Sequence, residues 1–177
     1  KIPFTTGLLV GIGENRRERV EALLALRELD RAYGHIQEII VQPFRAKPGT
    51  RMADAPDAAD EELLWTIAVS RLVFGPAMSV QTPPNLSPDL ITRALDAGIN
   101  DWGGISPVTI DHINPERAWP RIEALRQATA RCGYGLEERL AIYPRYLKRA
   151  EHFLAAPLAA RLDDISRDDG LALQQCG

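Results

Sequence analysis

Hydrophobic positions along the chain follow two alternating rhythms. Short runs of aliphatic and β-branched residues are each followed by apolar residues at three- and four-residue spacing. The first run, Phe4 to Ile12, closes on Gly11-Ile12-Gly13-Glu14. Ala22, Leu23, Leu26 and Leu29 then share one helical face, with Arg17, Glu21, Glu28 and Arg31 on the other. This spacing predicts a helix from about Arg16 to Arg31, with Gly34 at its exit. Ile36 to Val41 predicts a second strand, because the run is β-branched and too short for a helix. A long irregular stretch, Gln42 to Asp60, contains Pro43, Pro48, Gly49 and Pro56; such loops are usually functional or mobile. Glu61 to Phe74 predicts a helix with Asp60 as N-cap, apolar nearly all round and so packed on more than one side.

Ala77 to Val80 predicts a third strand, ended by Gln81-Thr82-Pro83-Pro84-Asn85. Ser87 is placed to cap a helix that has Pro88 first and stops at Gly98. Ile99-Asn100-Asp101-Trp102 predicts a brief fourth strand, opening into Gly103-Gly104-Ile105-Ser106-Pro107-Val108-Thr109. A further helix begins near Trp119-Pro120 and buries Ile122, Leu125, Thr129 and Cys132; another runs from about Arg145 to Leu154, carrying Tyr146, Leu147, Ala150 and Phe153. After Pro157 the acidic segment Asp163 to Asp169 shows no strong pattern.

Four βα units in succession, strand first, predict a parallel sheet with helices outside it. The chain has 177 residues, too few for a complete (β/α)8 barrel, which usually needs about 250. A small doubly wound sheet and half of a βα-barrel both fit. The sequence enters a strand almost at once, with no initiator Met and no signal-peptide pattern in Lys1 to Thr6, so we expect half a barrel cut from a larger fold. The expected division is residues 1–155 as the half-barrel and 156–177 as a tail. At 45% hydrophobic and 25% charged, the chain has enough apolar content for a core. A net charge of −3 without a basic stripe argues against a nucleic-acid partner. No run approaches the roughly 18 apolar residues of a membrane span, so no membrane partner is expected. Cys132 and Cys176 are too few for a disulfide framework or a zinc site, which favours a reducing cytoplasm.

In either architecture, ligands meet the sheet at the C-terminal ends of its strands. The candidates there are Gly11, Gly13 and Glu14; Gln42; Gln81, Thr82 and Asn85; and Asp101, Trp102, Ser106 and Thr109. Together they suit a polar, hydrogen-bonding small molecule, with Trp102 as a flat apolar wall. Gly11-Ile12-Gly13 is no dinucleotide fingerprint, because Arg16 stands where the third glycine belongs. Glu14 reads either as a functional carboxylate or as a first-turn residue favoured by the helix dipole. Asp101 reads as functional or as a turn residue, its glycine neighbours letting backbone approach a ligand. His35, His112 and His152 are scattered, and Cys132 lies on an apolar stripe; neither suggests a metal site.

Gly7-Leu8-Leu9-Val10-Gly11-Ile12-Gly13-Glu14 resembles the GxIxGxxE segment on the fifth strand of radical S-adenosylmethionine barrels. Ile39 to Gln42, through Lys47 to Thr50, resembles the sixth strand and its loop in the branch that includes biotin synthase. Val80 to Leu86, Asp101 to Thr109, Asn114-Pro115-Glu116 and Ile142-Tyr143-Pro144 are similar to the deazaflavin (FO) synthase family, in its ring-closing half. The resemblance spans about residues 1 to 155. It implies an α/β fold: half of a TIM-type (β/α)8 radical SAM barrel, strands five to eight, parallel, with helices outside.

The implied activity is that of a lyase. A 4Fe-4S cluster and S-adenosyl-L-methionine generate a radical that acts on a 4-hydroxybenzyl adduct of a ribityl-substituted uracil, and ring closure with loss of ammonia gives the deazaflavin chromophore. The CxxxCxxC cluster motif is absent from this sequence, so the cluster ligands would lie outside it and the chain alone would be inactive. The resemblance places Leu9, Gly11, Gly13, Glu14, Val41 and Gln42 along S-adenosylmethionine, the last two through backbone. It places Gln81, Asn85, Asp101, Trp102, Ser106 and Thr109 toward the substrate. The implied partners are an N-terminal barrel half and a companion tyrosine-coupling subunit or domain. Two alternatives remain: a related radical barrel with another substrate, biotin-synthase-like or tyrosine-coupling, and a non-catalytic half-barrel.

Overall fold

The computed structural model describes residues 2–173, so Cys176 lies outside the described residues. Three strands form one parallel sheet in the order β1-β2-β3: β1 Phe4–Val10, β2 Ile36–Pro43 and β3 Ser79–Gln81. Gly7 makes the first pairing possible. A Cβ at that position would sit 1.8 Å from the Ile40 carbonyl oxygen, inside any tolerable contact.

The expected fourth strand is reduced to one parallel bridge between Gln81 and Asp101. Side chains replace the rest of the ladder. Asn100 Oδ1 accepts the Val80 N–H at 2.9 Å, and Asp101 Oδ1 accepts the Gly103 N–H at 2.6 Å, turning the chain away.

Helix α1, Arg16–Tyr33, runs two residues past the expected end. Asn15 caps it, accepting from the Arg17 and Glu18 N–H groups while Glu18 reaches back to Asn15 N–H. Helix α2, Asp60–Phe74, begins with Asp60 inside it; the N-cap is Ala59. The Asp60, Glu61 and Glu62 carboxylates thus act on the helix dipole from the first turn. This helix touches all three strands and α1, matching its nearly all-round apolar pattern. Ser87 makes no cap bond among the described residues. A 3-10 turn, Pro88–Leu90, leads instead into helix α3, Ile91–Ala97, and the Ser87 hydroxyl accepts from Arg45. Helix α4 is Ile122–Arg131.

The expected helix over residues 145–154 breaks into α5, Pro144–Leu147, and α6, Ala150–Phe153; α7, Ala156–Ala159, and α8, Leu162–Ile165, follow. The tail folds back through bridges Arg139–Leu171 and Ser166–Ala172.

Strand alternation divides the sheet into two faces. Val10, Ile39, Val41 and Val80 are fully buried in one core with Leu23 of α1, Leu63 and Ile67 of α2, and Leu125 of α4. Each such side chain contributes about 1.5–3 kcal/mol of burial. Register partners of the opposite parity, Leu9 with Gln42 and Ile40 with Gln81, lie on the other face, which carries Glu38 and Asp101 as well. No helix among the described residues is long and apolar enough to cross a membrane.

Candidate functional site

Because the strands are parallel, their C-terminal ends and following loops gather on one side of the sheet. After β1, the Glu14 carboxylate accepts the N–H groups of Gly11 and Ile12, both at 2.8 Å, and Arg19 Nε at 2.6 Å. Burial alone would raise its pKa, but these donors hold it below the ordinary carboxylate value. Glu14 therefore closes the Gly11–Gly13 turn. Arg19 is 5% exposed and joins Glu14 to Glu62 of α2 at 2.6 Å. Gly11 has φ +97°, and a Cβ there would meet the Ala58 side chain at 2.7 Å. A groove of about 530 Å³ runs beside this turn, lined by Leu8, Leu9, Ile12, Gly13 and Arg19.

The next three loops are stitched together by polar side chains. Arg45 donates to the Leu86 carbonyl at 2.8 and 3.0 Å, to the Ala58 carbonyl at 3.1 Å and to Ser87 Oγ at 3.0 Å. Asp57 lies 3.7 Å from both Arg45 and Arg117, and Lys47 donates to the Ile113 carbonyl. The Asp111 carboxylate accepts from Asn85, Asn114 and two backbone N–H groups. Desolvation opposes its charge, but the Asn114 and Asn85 amides and the backbone donors bring its pKa down to about 2.

Within this stitched rim, polar atoms are left over. Gln81 Oε1, Thr82 Oγ1 and Asn85 Oδ1 are buried and have no hydrogen-bond partner among the described residues. Their side chains belong to residues only 6%, 2% and 3% exposed. A buried group in this condition costs roughly 1–3 kcal/mol. Three such atoms within five residues at one strand end mark a place that a ligand could complete.

On the sheet face away from the core, Asp101 is held by Arg139: Nε to Oδ2 at 2.6 Å and Nη2 to Oδ1 at 3.0 Å. Arg139 also donates to the Tyr143 hydroxyl at 2.6 Å, and its guanidinium lies 3.9 Å from the Tyr143 ring centroid. Tyr143 donates in turn to Glu38, which is 4% exposed. Burial raises the Glu38 pKa above its ordinary value; the Tyr143 bond and Arg139 offset this only in part. Burial and the neighbouring carboxylates raise the Tyr143 pKa as well.

The residues expected along a cofactor separate into two groups. Leu9, Gly11, Gly13 and Glu14 cluster at the end of β1, with Gln42 paired beside Leu9. The Val41 side chain is turned into the core, so only its backbone is available.

Of the residues expected toward a substrate, Gln81 and Asn85 supply the orphaned atoms, while both Asp101 oxygens are engaged by Arg139. Trp102 is 6% exposed, packs in the core, lies 3.4 Å from Thr129 Oγ1 and lines a cavity of about 960 Å³ together with Asp101 and Gly103. Ser106 and Thr109 bond to each other at 2.7 Å in a half-exposed loop. Sequence reasoning passed over Arg45, Asp111, Arg139 and Glu38, and it gave Tyr143 no role. The proline- and glycine-rich character of the loops that Arg45 and Asp111 tie was the available signal. Among the described residues no three His, Cys, Asp or Glu side chains converge to hold a metal.

No family model matches the chain. Curated relatives do. It is 53% identical over 153 residues, 86% of its length, to the FO synthase of Streptomyces avermitilis. It is 54% identical over 148 residues, 83% of its length, to that of Mycobacterium tuberculosis. It is 48% identical over 172 residues, 97% of its length, to the 7,8-didemethyl-8-hydroxy-5-deazariboflavin synthase of Methanopyrus kandleri. The matched part makes up 18% and 17% of the first two proteins and 51% of the third.

Proposed function

The chain is related over most of its length to a segment of FO synthases, and from that premise we propose that it is part of an enzyme of deazaflavin coenzyme biosynthesis. In this reading it is strands five to eight of a radical S-adenosylmethionine barrel, in the half that closes the deazaflavin ring. The other barrel half and a tyrosine-coupling subunit or domain are its partners. The reaction is a lyase step on a 4-hydroxybenzyl adduct of a ribityl-substituted uracil, with loss of ammonia. The observation that carries the proposal is 48% identity across 172 residues to a protein named for that product.

The described residues do not fit an iron–sulfur cluster. Cys132 is their one cysteine, and a cluster needs several thiolates at close range. Cluster ligands therefore belong to another part of the complete protein, and the chain alone is inactive.

S-adenosylmethionine does fit the end of β1. Leu9 and Ile12 are 41% and 47% exposed beside the Gly11–Gly13 turn, offering apolar surface next to close backbone. When bound, the cosubstrate supplies the group that abstracts hydrogen. Leu9 and Ile12 would pack against its adenosine and the Gly11–Gly13 backbone would let it approach, while Glu14 keeps that turn in shape. Gln81, Thr82 and Asn85 give the substrate its hydrogen bonds. The closed rim of loops excludes water, so that competing hydrogen donors are kept out.

The complete protein, supplied with the adduct, S-adenosylmethionine and a reductant, is expected to form the deazaflavin chromophore, read by its absorbance and fluorescence. Asn85→Ala is expected to lower that yield at least tenfold. Wild-type protein that consumes the cosubstrate but leaves the adduct unchanged would refute the reading.

A further inference from the structure

One of the three orphaned atoms at the end of β3 cannot change its identity. A glutamine amide can flip and a threonine hydroxyl can rotate, so Gln81 and Thr82 can each offer either a donor or an acceptor. Asn85 has no such freedom. Its Nδ2 donates to Asp111 Oδ2 at 2.9 Å and to the Arg117 carbonyl at 3.2 Å, both of which only accept. Turning the amide over would set its oxygen against two acceptors. Oδ1 is thus fixed on the opposite side, and it is the atom without a partner.

Asp111 is fixed in its turn. Its Oδ1 accepts the N–H groups of Ile113 at 2.9 Å and Asn114 at 3.1 Å, and its Oδ2 also accepts Asn114 Nδ2 at 2.8 Å. Four donor contacts, three from its own loop and one from Asn85, therefore converge on this carboxylate.

We infer that Asp111 is a positioning residue: it locks the Asn85 amide so that Oδ1 accepts a hydrogen bond from a ring N–H of a uracil-type substrate. The substrate class rests on the deazaflavin reading above. The choice of a ring N–H follows from geometry. A sugar hydroxyl rotates and would satisfy either face of the amide, so a locked acceptor would gain nothing from it. A ring N–H points one way, and only an acceptor held in place can select it. Asp111 and Arg117 both come from the loop over residues 103–119, which holds the Nδ2 side of the Asn85 amide.

The test uses the complete protein and calorimetric titration, with no turnover required. The probes are a ribityl-substituted uracil and the same compound methylated at its imide nitrogen. Wild-type protein is expected to prefer the unmethylated probe by about tenfold, the effect of about 1.4 kcal/mol. Asp111→Asn leaves one acceptor oxygen for two pairs of donors, so its NH2 opposes either the two backbone N–H groups or the two amide Nδ2 groups and the clasp on Asn85 opens. This variant is expected to bind the unmethylated probe about tenfold more weakly and to lose the preference. Asn85→Ala, which leaves the other Asp111 bonds in place, is expected to lose the preference too, and it decides the matter if Asp111→Asn fails to fold.

Three results would overturn the inference while leaving the deazaflavin reading intact: equal wild-type affinity for the two probes, a preference that survives either substitution, or equal weakening for both probes in Asp111→Asn. Wild-type protein that binds neither probe would instead sink the substrate class itself.

Discussion

Arg139→Met is the substitution that the sheet should tolerate least. The guanidinium is 19% exposed at its side chain and faces Asp101 and Glu38, whose side chains are 12% and 5% exposed. It meets Asp101 through two bonds and stands 3.5 Å from Glu38 Oε2. Methionine keeps the aliphatic bulk but leaves both carboxylates without their cation. Removing one partner from a buried pair costs about 3–5 kcal/mol, a large part of a domain stability of about 5–15 kcal/mol. Glu38→Gln is far milder: its amide oxygen still accepts from Tyr143 and the Arg139–Asp101 pair survives, so the cost is below about 1 kcal/mol. The double variant should therefore be more stable than Arg139→Met alone.

The effect depends on pH in a defined direction. Burial raises the folded pKa of Glu38 above 4.5. Its stabilising, protonated form is fully present below the unfolded value and is lost as pH rises through the folded one. Arg139 draws that pKa down, so its removal pushes Glu38 higher still. Urea denaturation of the complete protein should thus show the Arg139→Met deficit at its largest near pH 7, shrinking toward pH 4.5. A deficit under about 1 kcal/mol at pH 7, or one that is flat with pH, would refute the reasoning.

Other substitutions probe the β1 turn and the sheet edge. Gly11→Ala adds a Cβ 2.7 Å from Ala58 at φ +97°, and should cost about 2–4 kcal/mol in denaturation. Gly104→Ala, with nothing within 4 Å of the added Cβ, should cost much less; equal losses would contradict the strain argument. Glu14→Gln should destabilise by about 1–3 kcal/mol at neutral pH. Because the folded pKa of Glu14 is depressed, that advantage of the wild type exists above pH 4.5 and disappears as pH falls through the folded value; melting curves from pH 7 to 3 should converge. The chain expressed alone should self-associate in sedimentation, since β1 pairs only with β2 among the described residues and Phe4, Leu9 and Ile12 are 39–47% exposed. A dilute monomer with a cooperative melt would count against the half-barrel proposal.

The sequence was most legible where neighbours in the chain decide the structure. The spacing of Ala22, Leu23, Leu26 and Leu29 placed α1 within two residues, and the β-branched run placed β2. It was less legible where a side chain competes with the backbone: the bonds of Asn100 and Asp101 cut the fourth strand to one bridge. The indole of Trp102 packs into the core beside Thr129, an orientation that its glycine-rich neighbourhood does not disclose. Arg139 and Tyr143 were beyond reach for another reason. Their partners Asp101 and Glu38 lie 38 and 105 residues away, and no local period encodes such a meeting.

That long-range meeting bears on what Asp101 does. A carboxylate at the end of a strand, followed by two glycines, invites a role in binding ligand. Yet its Oδ1 already accepts Arg139 Nη2 and the Gly103 N–H, and its Oδ2 accepts Arg139 Nε. A substrate group could take it only by displacing a guanidinium, breaking a charge-assisted bidentate pair in a poorly hydrated setting. Asp101 is better placed to aim the chain. Through Arg139 it is tied to Tyr143 and Glu38, and through Gly103 it sets the direction in which the loop toward Ser106 and Thr109 leaves the sheet. The loop that carries Asp111 to Asn85 thus starts from a point anchored by Arg139, in the segment that follows α4. Of the orphaned acceptors at the end of β3, Asn85 is thus held by Asp111, and Gln81 is bridged to Asp101, where that anchored loop begins.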